Sequence, residues 1–183
     1  MSQYVALLRG INVGGKNIIK MADLRACFEA EGYDDVVTYI QSGNVIFRAA
    51  GAQSAQLTRC IENILASTFN YQASVVLRSR SQLSNVITRA PAEFGKRPEQ
   101  YRYDAVFLKE PLTAKTAMKS VLAKSGVDRV HTGPGVLYFS RLISKASQSW
   151  LSRLVQQPVY RNMTIRNWNT TTKVLQLMNE MES

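Results

Sequence analysis

The run Gly10-Ile11-Asn12-Val13-Gly14-Gly15-Lys16-Asn17 follows a short apolar stretch and combines three glycines with two asparagines and a lysine. Glycines so spaced can leave backbone N–H groups turned into a concavity, and Arg9 and Lys16 add positive charge, a combination suited to an anion. The run also fits G-x-x-x-x-G-K, one residue short of the phosphate-binding loop of nucleoside triphosphatases. Asn17 stands where that loop needs a hydroxyl to hold Mg²⁺, and no later strand ends in an evident metal-binding aspartate, so nucleotide hydrolysis of that type is disfavoured. The alternative is a glycine-rich turn capped by its own asparagines, with the cations solvated.

Two further groups of polar residues could contact a ligand. Gln41, Ser42 and Asn44 surround Gly43 in a hairpin turn and offer amides and a hydroxyl, although turns favour such residues for backbone reasons alone. Arg166, Asn167 and Trp168 combine a fork donor, an amide and an indole before a helix. There Asn169 or Thr170 would serve as N-cap and Trp168 as the hydrophobe preceding it. His131, the single histidine, adjoins a Gly-Pro-Gly turn and reads as a surface residue, and no serine or cysteine sits in an evident nucleophile motif. Cys27 and Cys60 lie in helical apolar patterns without CxxC spacing, so both read as core thiols and neither a disulfide nor a metal site is expected. No catalytic residue is assigned and no cofactor is expected, which leaves open whether a reaction is catalysed.

Elements must hold these groups in place, and their order is legible. Tyr4 to Arg9 predicts a buried strand; Met21, Leu24, Cys27 and Phe28 recur at helical spacing up to Gly32. Residues 36–40 and 44–48 predict a hairpin, Leu57 to Leu65 a second helix, residues 74–77 a fourth strand and residues 83–87 a short helix. After the polar, proline-containing stretch 91–100 the pattern restarts. A strand is expected at 105–109, a helix at 113–123, a hairpin through Gly133-Pro134-Gly135, a helix from Trp150 to Val155, a strand at 163–166 and a helix over 174–178. The fold class is therefore α+β: a duplicated ferredoxin-like plait, βαββαβ twice, with antiparallel sheets and helices. The expected boundaries are 1–90 for the first subdomain, 91–100 for a linker and 101–183 for the second. Copy one spends residues 10–19 between its first strand and first helix where copy two needs three, and that loop should converge with the 41–44 turn.

The 183 residues are 45% hydrophobic and 20% charged, which is compatible with a packed core and not with disorder. No stretch is long and apolar enough for a membrane helix and no secretory leader is evident, so a cytoplasmic location without membrane association is expected. The formal charge of +10 lies mostly in the second half, where fourteen basic residues face seven acidic ones. Such a surface suits polyanions but is also common on proteins that bind none. Base stacking by copy one is disfavoured because its first strand lacks a central aromatic; copy two offers Phe107, Tyr138 and Phe139, as a platform or as core.

The segments ALLRGINVGGKN, TYIQSGNVIF and TIRNWNTTTKV, in this order and spacing, resemble the bacterial family catalogued as domain of unknown function 1697. The resemblance covers nearly the whole chain and implies a ferredoxin-like duplication, but no activity. Its recurrent positions match Arg9, Gly10, Asn12, Gly14, Gly15, Asn17, Met21, Gln41, Ser42, Gly43, Asn44, Arg166, Asn167, Trp168, Thr170 and Lys173 here, and Lys20 departs from its proline. The leading expectation is a binding module for a small anionic or phosphorylated ligand. It would sit between the Gly10 to Asn17 loop and the Gln41 to Asn44 turn. The alternatives are nucleic-acid binding through the basic second half and an enzyme whose chemistry these residues hide.

Overall fold

Alternation along the first strand decides how the first sheet is layered. In β1 (Ser2–Arg9), Ala6 and Leu8 belong to one face and Val5 and Leu7 to the other, and all four are buried, as an interior strand requires. The structure, a computed structural model, describes residues 1–51 and 53–182. β1 pairs antiparallel with β3 (Asn44–Ala49) and β4 (Ser74–Ser79), and β3 pairs with β2 (Asp34–Tyr39), in the order β2-β3-β1-β4. Helices α1 (Met21–Ala30) and α2 (Ser54–Phe69) present Leu24, Cys27 and Phe28, and Leu57, Ile61 and Leu65, to the face carrying Ala6, Leu8, Val45 and Phe47. Phe28 meets Phe47 edge-on at 5.3 Å. α1 ends at the expected Gly32, where the N–H groups of Gly32 and Tyr33 donate back to Glu29 and Phe28 carbonyls. Burial pushes the Cys27 thiol above its ordinary pKa, opposed by its hydrogen bond to Thr68 and reinforced by Glu31. Cys60, in contrast, is exposed: the buried stripe of α2 runs 57, 61, 65, and position 60 falls beside it.

The same plan returns in β5 (Tyr101–Leu108), β6 (Asp128–Gly133), β7 (Val136–Leu142) and β8 (Met163–Asn167), ordered β6-β7-β5-β8. The register repeats as well, because Leu8 N–H donates to Gly43 O at 2.8 Å and Leu108 N–H to Gly135 O at 3.0 Å. Leu7 and Leu8 thus correspond to Phe107 and Leu108 on equivalent central strands, and the duplicated α+β plait is present in both copies. The helices of copy two are shorter than the spacing suggests. α4 is only Ala114–Met118, after which Lys119, Ser120 and Val121 bond three residues back, and the tightened turn still brings Val121 to the core. α5 (Leu151–Val155) contributes Leu151 and Leu154, flanked by 3₁₀ turns at Ile143–Gln148 and Pro158–Asn162.

Each copy ends in a helix that follows its last strand directly, α3 (Arg80–Thr88) and α6 (Trp168–Glu180). Ser79 and Gln82 form a reciprocal capping box at the start of α3, at 2.9 and 3.2 Å. The chain divides into a first unit of Met1–Leu83 with Val174–Ser183 and a second of Ser84–Lys173, and both divisions fall inside these helices. This differs from boundaries at 90 and 101. In unit one, Arg48 donates to Met181 O at 3.0 Å and Arg80 pairs with Glu182 at 2.8 Å. In unit two, the Tyr138 hydroxyl donates to Val86 O at 2.7 Å, and burial pushes its pKa up to about 12 against the opposing pull of Arg89. Residues 91–100 form turns, as expected of a connection, but Phe94 is buried among Tyr103, Tyr138 and Trp168 of unit two. Among the described residues no helix is long and apolar enough to cross a membrane.

Asp104 of β5 is buried beside Arg141, 3.3 Å away. Burial pushes its carboxyl above the usual range, against the opposing pull of Arg141 and Arg102. The folded protein therefore holds this proton more tightly than the unfolded chain. The contribution to stability is fully present below the unfolded value of about 3.9 and is lost as pH rises through the folded one. Urea unfolding of the parent and of Asp104→Asn between pH 3.5 and 7 is expected to show the parent losing ground to the variant as pH rises, by at most about 1.4 kcal/mol per pH unit, then levelling. A difference independent of pH would contradict this.

Candidate functional site

Residues 10–19 fold as a miniature hairpin. Val13 and Lys16 form an antiparallel bridge, with Lys16 N–H donating to Val13 O at 3.1 Å, and Asn12 N–H donates to Asn17 O at 3.1 Å. Gly14 and Gly15 turn the corner at φ +57° and +74°, the left-handed pair that glycine adopts without steric cost. Buried Ile11 and Ile19 anchor the two ends.

Asn12 holds the loop closed. Its Oδ1 accepts from Ile19 N–H at 2.8 Å, and its Nδ2 donates to Ile19 O at 3.0 Å and to Gln41 O at 2.9 Å. The last bond joins the loop to the β2–β3 turn, so the expected convergence is present. Asn17 Nδ2 donates to Gly10 O at 2.9 Å, and the Tyr71 hydroxyl donates to Arg9 O. Within the turn, Asn44 is fully buried and donates to Tyr39 O at 2.9 Å and Ser42 Oγ at 3.1 Å. The asparagines thus maintain the loop and turn. The arrangement presents Gly14, Gly15, Lys16 and Gln41 to solvent together with the apolar Val13 and Ile18, 64% and 76% exposed, and Arg9 is half-buried. Neither Asp nor Glu occurs between Arg9 and Lys20. This surface offers backbone donors and an ammonium group but no nucleophile paired with a base. Among the described residues no three His, Cys, Asp or Glu side chains gather as metal ligands.

The second cluster is placed inside unit two. Arg166 is buried, and its guanidinium donates to Thr164 Oγ1 at 2.8 Å and Ile165 O at 2.9 Å; its counterpart Arg78 in unit one donates likewise to Leu77 O at 2.7 Å. Asn167 Oδ1 accepts from Asn169 N–H at 2.9 Å, which puts the N-cap of α6 at Asn167 and makes Trp168 the first helical residue. Trp168 stands edge-on to Phe94 at 5.0 Å.

Phe107, Tyr138 and Phe139 are at most 1% exposed, so they are core and offer no platform for stacked bases. His131 is exposed, as expected of a surface residue beside the Gly-Pro-Gly turn, but it stands in a strand and not in the turn. It pairs with Tyr138 inside β6 and, with Arg129, lines a recess of about 90 Å³ in unit two. Tyr101, Tyr103 and Ser140 supply the sheet wall of that recess and Arg97 part of its rim. The signal for it in the sequence is weak: Y-x-Y at 101–103 and R-x-H at 129–131 each put two polar or aromatic side chains on one face of a strand.

Comparison with known proteins gives a consistent picture. A family described as "Protein of unknown function (DUF1697)" matches residues 1–138. A solved structure described as "The structure of conserved bacterial protein SP0830 from Streptococcus pneumoniae" is similar over 96% of this chain and 97% of that chain, with a TM-score of 0.84 and 29% sequence identity. No curated protein matches the chain.

Proposed function

The chain belongs to the DUF1697 family, whose description assigns no activity, and from that premise we propose that it is a binding module for a small anionic or phosphorylated ligand at the 10–17 loop. The observation that carries this reading is that three hydrogen bonds of the Asn12 side chain fasten the loop to itself and to the adjoining turn, leaving Gly14, Gly15 and Lys16 displayed. A loop already ordered loses little conformational freedom on binding, so more of the contact energy appears as affinity. The glycine amides and the Lys16 ammonium all donate, Arg9 adds charge, and Gln41 supplies a neutral amide from the adjoining turn.

Titration with inorganic pyrophosphate, followed through the amide resonances of Gly14 and Gly15, tests the reading. Saturable shifts of those two amides are expected. Lys16→Ala is expected to weaken binding about tenfold or more, because one charge-assisted hydrogen bond contributes about 1.5–3 kcal/mol. Amides that stay in place, or an affinity unchanged in Lys16→Ala, would remove the loop from the site.

A further inference from the structure

We infer that the recess in unit two is a second ligand site, shaped for a phosphoryl group. The register of the sheet builds it. Tyr103, Ser140 and Arg129 are consecutive cross-strand neighbours on β5, β7 and β6. Tyr101 and His131 lie two residues along from Tyr103 and Arg129, and so share their face. The segment after α3 borders the recess: Arg97 N–H donates to the Tyr103 hydroxyl at 3.2 Å and Phe94 packs on the Tyr103 ring at 4.9 Å.

The two copies show why there is room. At the places equivalent to Tyr103 and Ser140, unit one has Gln3 and Arg48, themselves a cross-strand pair. Both are occupied with Met181, Gln3 through the thioether at 3.7 Å and Arg48 through the carbonyl at 3.0 Å, and Arg48 also pairs with Asp35 at 2.9 Å. Copy two replaces that arginine with Ser140, buried and short, and the volume the longer side chain would fill remains open. A cavity needs roughly 10–15 Å³ to admit one water, so about 90 Å³ accommodates a group of several heavy atoms.

The lining chemistry selects an oxyanion. Arg97 and Arg129 outnumber the single acid on the rim, Glu93, and Ser140 and His131 can add further donors. The Arg129 guanidinium lies 5.5 Å from the Tyr101 ring centre, a contact that restrains its orientation. Two guanidinium forks match the spaced oxygens of a phosphoryl group better than a point charge would.

His131 is the only histidine, so its imidazole gives one unambiguous reporter in the full-length protein. Titration with inorganic phosphate and, separately, phenyl phosphate is expected to move the His131 ring signals and the Ser140 amide saturably. Arg129→Gln and Arg97→Gln, both changes of exposed side chains, are each expected to weaken the response about tenfold, while Lys115→Gln, an equal charge change outside the recess, leaves it intact. Tighter binding of phenyl phosphate assigns the recess to organic phosphates, and equal binding to the free ion. Shifts that never saturate, or that survive Arg129→Gln and Arg97→Gln unchanged, overturn the inference. Saturable shifts confined to Gly14 and Gly15 overturn it while sustaining the loop reading, and shifts confined to His131 and Ser140 do the reverse.

Discussion

Gly43→Ala is expected to lower the free energy of unfolding by about 2–5 kcal/mol. Gly43 sits at φ +78°, where any side chain is strained, and the added methyl would lie 2.6 Å from Ile11 Cδ1 and 2.9 Å from Leu8 Cβ. The backbone cannot withdraw cheaply, because the Gly43 carbonyl accepts the Leu8 N–H that sets the β1–β3 register. Ile11 cannot yield cheaply either, since it is 1% exposed and anchors the 10–19 loop. The strain should therefore reach the surface proposed to bind an anion, and on that proposal the variant is expected to lose pyrophosphate affinity along with stability. Gly51→Ala is the control: its methyl would meet nothing within 4 Å, and a change within about 0.5 kcal/mol is expected. Urea unfolding of the two variants and the parent provides the comparison. A loss at Gly43 no larger than at Gly51 would mean that Ile11 repacks freely.

Phe94→Ala should be comparably severe, about 3–5 kcal/mol, the range for emptying a buried aromatic site. Its ring lies 4.9 Å from Tyr103, 5.3 Å from Tyr138 and 5.0 Å from Trp168, each edge-on, so truncation forfeits three aromatic contacts as well as buried area. Lys96→Ala, two residues away and exposed, should change stability by no more than about 0.5 kcal/mol. If residues 91–100 were only a connection, the two substitutions would behave alike. Thermal or urea unfolding distinguishes the cases directly.

That contrast shows where the sequence is informative. Proline and glycine in 91–100 report correctly that no helix or strand forms there, but composition does not register that one phenylalanine ties the stretch to a sheet. The central strands were readable because Val5 to Leu8 and Ala105 to Leu108 are apolar on both faces, a pattern that few other environments produce. Helix lengths in copy two were not, since Val121 keeps helical spacing while the chain changes to three-residue bonds. At the loop, residue types predicted the convergence with the 41–44 turn. They could not say which amides face inward, and Asn12, Asn17 and Asn44 prove to be the loop's own fastenings. His131 was obscured by its Gly-Pro-Gly neighbour, and the recess beside it depends on Ser140 being small, a feature that matters only once three strands are side by side.

The division of the chain inside α3 and α6 has a consequence for synthesis on the ribosome. Unit one includes Val174 and Met178, which are at most 1% exposed in the finished protein, yet both are translated after every residue of unit two. At about 5–20 residues per second, a nascent unit one waits several seconds for them with apolar surface still uncovered. Unit two is encoded second but has all its residues first, so the copy that emerges earlier is the one completed last.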